Sequence, residues 1–175
     1  MKIGIFFESS PREGGAFHTN LNIVNIFNEY NNDDLDSTYI VRSKEIEKIL
    51  ISKGCKCLFF EQDIFFRTQN FLSLSKFFSS FIKKLGISNK FEKILKLNKF
   101  ELIYFNSPTF YSTYLNELPF VMNIYEMQHK TDNYFPEYRV KVHSLDTRDL
   151  ILNNAISKAF KIILALTTGS MLSMW

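Results

Sequence analysis

The stretch Lys2-Ile3-Gly4-Ile5-Phe6-Phe7, followed by Glu8-Ser9-Ser10-Pro11-Arg12-Glu13-Gly14-Gly15 and then Ala16-Phe17, decides how this chain is read. Ile3 to Phe7 is a short apolar run bounded by turn formers, the pattern of a strand buried on both faces. Ser9 to Gly15 is a loop by composition. From Ala16 the period changes: Phe17, Leu21, Val24 and Asn28 recur at helical spacing, with Ile23, Phe27 and Tyr30 beside them, until Asn31 to Asp34 stops the helix. A strand, a glycine-bearing loop and a helix in that order is the opening unit of a parallel sheet.

Working outward, the alternation continues. Thr38 to Val41 is a weak second strand, and Ser43 caps a helix that ends at Gly54. Cys55 to Phe60 is a third strand. The segment 64–97 breaks the rhythm with an apolar stripe of Phe71, Leu74, Phe78, Phe81 and Leu85 ended by Gly86, then a short helix from Asn89 to Leu97. Leu102 to Phe105 is the next strand, Asn106 to Pro119 a connection with room for a helical turn, and Phe120 to Ile124 another strand. Glu126 to Tyr138 is polar and Pro-bearing, hence a loop. Leu145 to Lys158 is helical, and Lys161 to Leu166 is a last strand. Strand and helix alternate about six times, which predicts an α/β fold with a Rossmann-like parallel sheet and helices on both faces. Ligands in such folds sit at the carboxyl ends of the strands. Here those ends carry the loops Ser9 to Gly15, Asn106 to Tyr111 and Glu126 to Tyr138.

Length and composition agree with one domain over residues 1–175: the chain has 175 residues, 46% of them apolar and 16% aromatic. Against 21 Lys and Arg stand 18 Asp and Glu, a net charge of +3 that gives no basis for nucleic-acid binding. Cys55 and Cys57, placed in one strand, would face opposite ways, so no mutual disulfide is expected and a reducing, cytoplasmic setting fits. No uncharged run reaches the about 18 residues of a spanning helix, and the first residues lack a signal peptide's apolar core.

Few residues announce chemistry. Gly14-Gly15, at the first helix amino terminus, allows close backbone approach and offers free N–H groups to a phosphate; the competing reading is a plain turn. Neither the dinucleotide fingerprint, the P-loop nor the nucleophile elbow occurs. Glu126, His129, Asp132, Glu137, Arg139, His143, Asp146, Arg148 and Asp149 crowd one segment after a strand, as candidates for acid/base work or for gripping a polar substrate. A solvated loop is the alternative, with Asp146 and Asp149 serving as helix caps. His129 and His143 lack the company of a metal site, so no metal is expected. His18 reads as a surface residue. Lys76, Lys83, Lys84, Lys90, Lys93 and Lys96 accompany the Phe-rich stretch, so peripheral contact with a membrane surface competes with packing of that stripe on the sheet, and packing is favoured.

The opening strand, the Gly14-Gly15-Ala16-Phe17 loop and the prompt helix resemble the start of group 1 (family 4) glycosyltransferases. Tyr125-Glu126-Met127-Gln128-His129-Lys130 and Tyr134-Phe135-Pro136-Glu137 resemble that family's aromatic, acidic and histidine-bearing loop and its Pro-Glu segment. Asp146-Thr147-Arg148-Asp149 is similar to the helix start that follows, and Ala159 to Ala165 to the next strand. The resemblance implies the amino-terminal, acceptor-side domain of a two-domain (GT-B) transferase, with the donor domain lying outside this chain and the isolated chain inactive. It places Gly14 and Gly15 toward the diphosphate of a nucleotide-sugar, which is the donor substrate, with no separate cofactor. Glu126 and His129 become the catalytic, acceptor-side pair, Arg148 and Glu137 contact substrate, and the acceptor is a saccharide or a lipid-linked saccharide. Two other readings remain: a non-catalytic module that pairs with a partner supplying the second half, and an unrelated flavodoxin-like or receiver-like domain, although Glu8 alone after the first strand does not supply a receiver's acidic pocket.

Overall fold

The computed structural model describes residues 1–30, 34–61, 90–125 and 145–164. Six strands form one all-parallel sheet: β1 (Lys2–Phe7), β2 (Asp36–Val41), β3 (Cys57–Phe59), β4 (Leu102–Phe105), β5 (Phe120–Ile124) and β6 (Lys161–Leu164). Helices α1 (Gly15–Glu29), α2 (Lys44–Ser52), α3 (Lys90–Leu97) and α4 (Leu145–Ile156) connect them, with short 3-10 turns at Pro11–Glu13 and Phe110–Tyr114. The predicted α/β class and its Rossmann-like sheet are what the chain adopts.

The strand order is β3-β2-β1-β4-β5-β6. The chain winds outward from β1 through β2 to β3, then returns to lay β4 on the other side of β1. Neighbouring connections therefore leave the sheet in opposite directions between β1 and β4, which opens a crevice at their carboxyl ends.

Alternation of side chains divides the core in two. Ile3, Ile5 and Phe7 of β1 join Tyr39, Val41 and Tyr104 beneath Val24 of α1 and Ile46 and Leu50 of α2. Phe6, Ile40, Ile103, Phe105, Phe120 and Met122 face the other way, under Phe91 and Leu95 of α3 and Leu152 and Ala155 of α4. With both faces covered, β1 has no use for polar residues, which explains its unbroken apolar run. Gly4 makes room on β1 for side chains of the two flanking strands: a Cβ there would lie 2.7 Å from Ile103 Cδ1 of β4 and 2.8 Å from Ile40 Cδ1 of β2.

Observed boundaries depart from expectation where a helix end competes for a residue. Cys55 was expected to open β3, yet β3 starts at Cys57. Gly54 adopts φ 78, the Gly54 N–H donates to Ile51 O (2.9 Å) and the Cys55 N–H to Leu50 O (3.0 Å). These two bonds close α2 in a Schellman motif and use up Cys55 before the strand begins. The two thiols do not face opposite ways as expected: a spacing of two residues keeps side chains on one face of a strand, and both cysteines are free and pack against the α1–α2 side of the sheet. The apolar stripe from Phe71 to Leu85 lies outside the described residues.

Candidate functional site

Strand periodicity brings a row of neutral polar side chains to the switch-point edge. Tyr104 and Asn106, two apart, share the face of β4 that α1 covers, and Asn123 and Tyr125 do the same on β5. The register that pairs Phe105 with Met122 carries Asn106 alongside Asn123. Asn123 Nδ2 donates to the Tyr104 hydroxyl and, at 3.1 Å, to the Tyr125 hydroxyl. Tyr125 in turn donates to Asn106 Oδ1. Asn106 Nδ2 donates to Asn20 Oδ1 of α1 at 2.8 Å, and Asn20 Nδ2 to Ser9 Oγ at 2.6 Å. The bonds thus run in one direction from β5, across β4, to the loop after β1. Asn106 and Asn123 are 6% and 7% exposed, Ser9 is buried, and Tyr125 is half-buried above them.

The opposite face of the same edge is charged and aromatic. Arg42, just after β2, bridges Glu8, just after β1, at 3.3 Å, and its guanidinium lies 5.0 Å above the Tyr111 ring. Beneath them Phe6, Phe60, Phe91 and Tyr111 stack edge to face and tilted, with centroids 4.6 to 6.1 Å apart. The connection after β4 is pinned rigidly. Oε1 of the fully buried Glu92 accepts the N–H groups of Asn116, Glu117 and Leu118 at 2.9, 2.7 and 2.9 Å. Lys158 Nζ donates to Thr113 O (2.6 Å) and Asn116 Oδ1 (3.0 Å).

Of the residues expected to carry chemistry, Gly14 and Gly15 stand at the amino terminus of α1, exposed, with nothing within 4 Å of where a Cβ would lie. Gly14 has φ 52, a conformation that favours glycine. Pro11–Glu13 turns the chain into it, so the backbone at the helix start is open to a ligand. Arg148 lies in α4, which packs on the α3 side of the sheet, so it does not join Gly14, Gly15 and the Asn row on the α1 side. Glu126, His129 and Glu137 lie outside the described residues. His18 is exposed in α1 and stacks edgewise on Phe17. Among the described residues no three His, Cys, Asp or Glu side chains gather as a metal site would require, and no helix is long and apolar enough to cross a membrane.

A search for titratable clusters overlooks Ser9, Asn20, Asn106 and Asn123, because Asn and Ser in sequence read as turn formers. The available signal was period-2 spacing of polar residues at the ends of two otherwise apolar strands. Comparison with known proteins gives no further guide: no family model, no curated protein and no solved structure matches the chain.

The electrostatics of the site are those of neutral groups. Burial raises the Tyr104 phenol well above its ordinary range, and the adjoining Tyr125 adds to it. Burial likewise raises Tyr39 and Tyr114, and pushes the Cys57 thiol up to about 11 from 9.0, with Cys55 and Glu47 contributing. In each case the folded state holds a proton that the unfolded chain gives up sooner. Below pH 9.0 none of them weakens the fold; stability falls as pH rises from 9.0 to about 11 through Cys57, and the three tyrosines add to the loss only above their ordinary value of 10.0. The thermal midpoint should begin to fall above pH 9.0 and drop more steeply above 10.0, with tyrosinate absorbance from the buried tyrosines appearing together with unfolding. Tyrosinate titrating freely at its ordinary pH, with the fold intact, would contradict this.

Proposed function

We propose that this chain is the acceptor-side, Rossmann-like half of a glycosyltransferase that moves a sugar from a nucleotide-sugar to a saccharide or lipid-linked saccharide. The observation that carries the reading is the row of neutral donors and acceptors, Ser9, Asn20, Asn106, Asn123 and Tyr125, at the carboxyl edge where the winding reverses. Amides and phenols match the alternating donor and acceptor character of sugar hydroxyls, whereas an anionic ligand calls for cations there. The open backbone at Gly14 and Gly15 supports it, since free N–H groups at a helix start suit the phosphates of a donor facing this edge.

Sugar transfer needs the acceptor hydroxyl held in line with the anomeric carbon and the departing diphosphate neutralised. In this reading the Asn row fixes the acceptor's orientation. Glu126 and His129, which directly follow Tyr125 and β5 in the chain, take the proton of the attacking hydroxyl. Glu137 holds the rest of the substrate. A second domain binds the nucleotide-sugar, so this half alone binds saccharide without transferring it.

Saturation-transfer difference NMR on the purified chain tests the proposal, with pooled oligosaccharides in one arm and nucleoside diphosphates, dinucleotides and flavin mononucleotide in the other. Saccharide signals alone should respond. A response from flavin or dinucleotide with silent saccharides overturns the proposal in favour of a cofactor-binding domain.

A further inference from the structure

We propose that the Tyr125 phenol is a built-in stand-in for a substrate hydroxyl, and that Asn106 and Asn123 beneath it form the recognition pair for a vicinal diol of a sugar ring. The inference rests on the saccharide reading above and names the group that the edge recognises. The Tyr125 hydroxyl does two things at once: it accepts from Asn123 Nδ2 at 3.1 Å and donates to Asn106 Oδ1. A sugar hydroxyl has the same pairing capacity and can replace it bond for bond, leaving the direction of the chain through Asn20 to Ser9 unchanged.

Asn123 supplies the second half of the argument. Its Oδ1 is buried and accepts no hydrogen bond. Turning the amide over does not cure this: Oδ1 then meets the two phenols and Nδ2 takes the empty place. A buried amide atom without a partner is costly, and the cost persists only if something else is gained. A hydroxyl on the carbon next to the one that displaces Tyr125 would donate to Asn123 Oδ1 and complete the set. Tyr125 is the member placed to move: it is half-buried and follows the last residue of β5, while Asn106 and Asn123 are held in and beside the sheet.

The prediction separates a stand-in from an ordinary ligand contact. On a printed glycan array the wild-type chain should retain glycans with a terminal vicinal diol. Tyr125→Phe removes the competing hydroxyl and keeps the ring, so those glycans should bind about tenfold more tightly, the worth of the bonds no longer displaced. Asn123→Leu and Asn106→Leu should each weaken binding about tenfold or more, with Asn123→Ser and Asn106→Ser as milder versions should the leucine variants fail to fold. Equal weakening by Tyr125→Phe overturns the proposal, because the phenol is then a ligand contact. Binding that survives both Asn substitutions also overturns it, while the saccharide reading stands. A wild-type chain that retains no glycan overturns that reading and this inference together.

Discussion

Glu92→Ala is expected to lower folding stability by about 3–5 kcal/mol, which is much of what an ordinary domain possesses. The carboxylate is fully buried in the first turn of α3, and a single oxygen, Oε1, receives three consecutive N–H groups from Asn116, Glu117 and Leu118. Those N–H groups belong to the segment that leads into β5 and has no ladder partner for them. Truncation leaves all three donors without their acceptor in a dry place, at roughly 1–3 kcal/mol for each that water cannot reach. Its position at a helix amino terminus also favours the negative charge, so the loss includes that interaction. Glu92→Gln keeps an oxygen in the same place and forfeits only the charge, and should cost about 1–2 kcal/mol. Chemical denaturation of the two variants reads this directly. The alanine variant should lose about 6–20 °C of thermal midpoint, on the usual scale for a chain of this size. Equal losses for alanine and glutamine would show that charge, and not the triple hydrogen bond, is what matters.

That buried carboxylate also shows what can be read from the chain and what cannot. Parallel order was legible because β1 and β4 are apolar runs and β5 is apolar but for Asn123, with helical periodicity between strands, and two-sided burial is the cause of both features. The start of β3 was misplaced by local chemistry: Gly54 closes α2 with bonds that draw Cys55 out of the strand. Glu92 reads as one more charge among Lys90, Lys93 and Lys96, since nothing in a helical sequence says which charged residue points inward. The neutral site was hidden for a related reason. Asn106 and Asn123 are far apart in sequence, and only the register of β4 against β5 makes them neighbours. Arg148 was grouped with the titratable residues that follow β5 because sequence order cannot tell which face of the sheet a crossover helix will cover. Gly14 and Gly15 were placed at the start of α1 because glycine's freedom is local and needs no partner to be recognised.

Phe91→Ala should be the other severe lesion, costing about 3–5 kcal/mol, and it tests the aromatic half of the same anchor. The Phe91 ring is fully buried between Phe60 at 5.1 Å, Tyr111 at 5.2 Å and Phe6 at 5.9 Å, so it joins the end of β3, the connection after β4 and the central strand. No neighbour can collapse into the vacated volume without giving up its own edge-to-face contacts, which places the cost toward the upper end of the range. The damage should travel: Tyr111 carries the Arg42 guanidinium, and Arg42 holds Glu8 at the end of β1. Phe91→Leu fills most of the hole and should cost under about 1.5 kcal/mol. Because Phe91 and Glu92 fasten one connection from adjacent positions, their effects should not add. Once the segment has come loose from either anchor, removing the other loses less than it would alone. The double variant should therefore unfold at a denaturant concentration above that expected from the summed losses. Strict additivity in that cycle would mean that the aromatic cluster and the carboxylate stabilise separate parts of the molecule, and that the connection after β4 is not held as one unit.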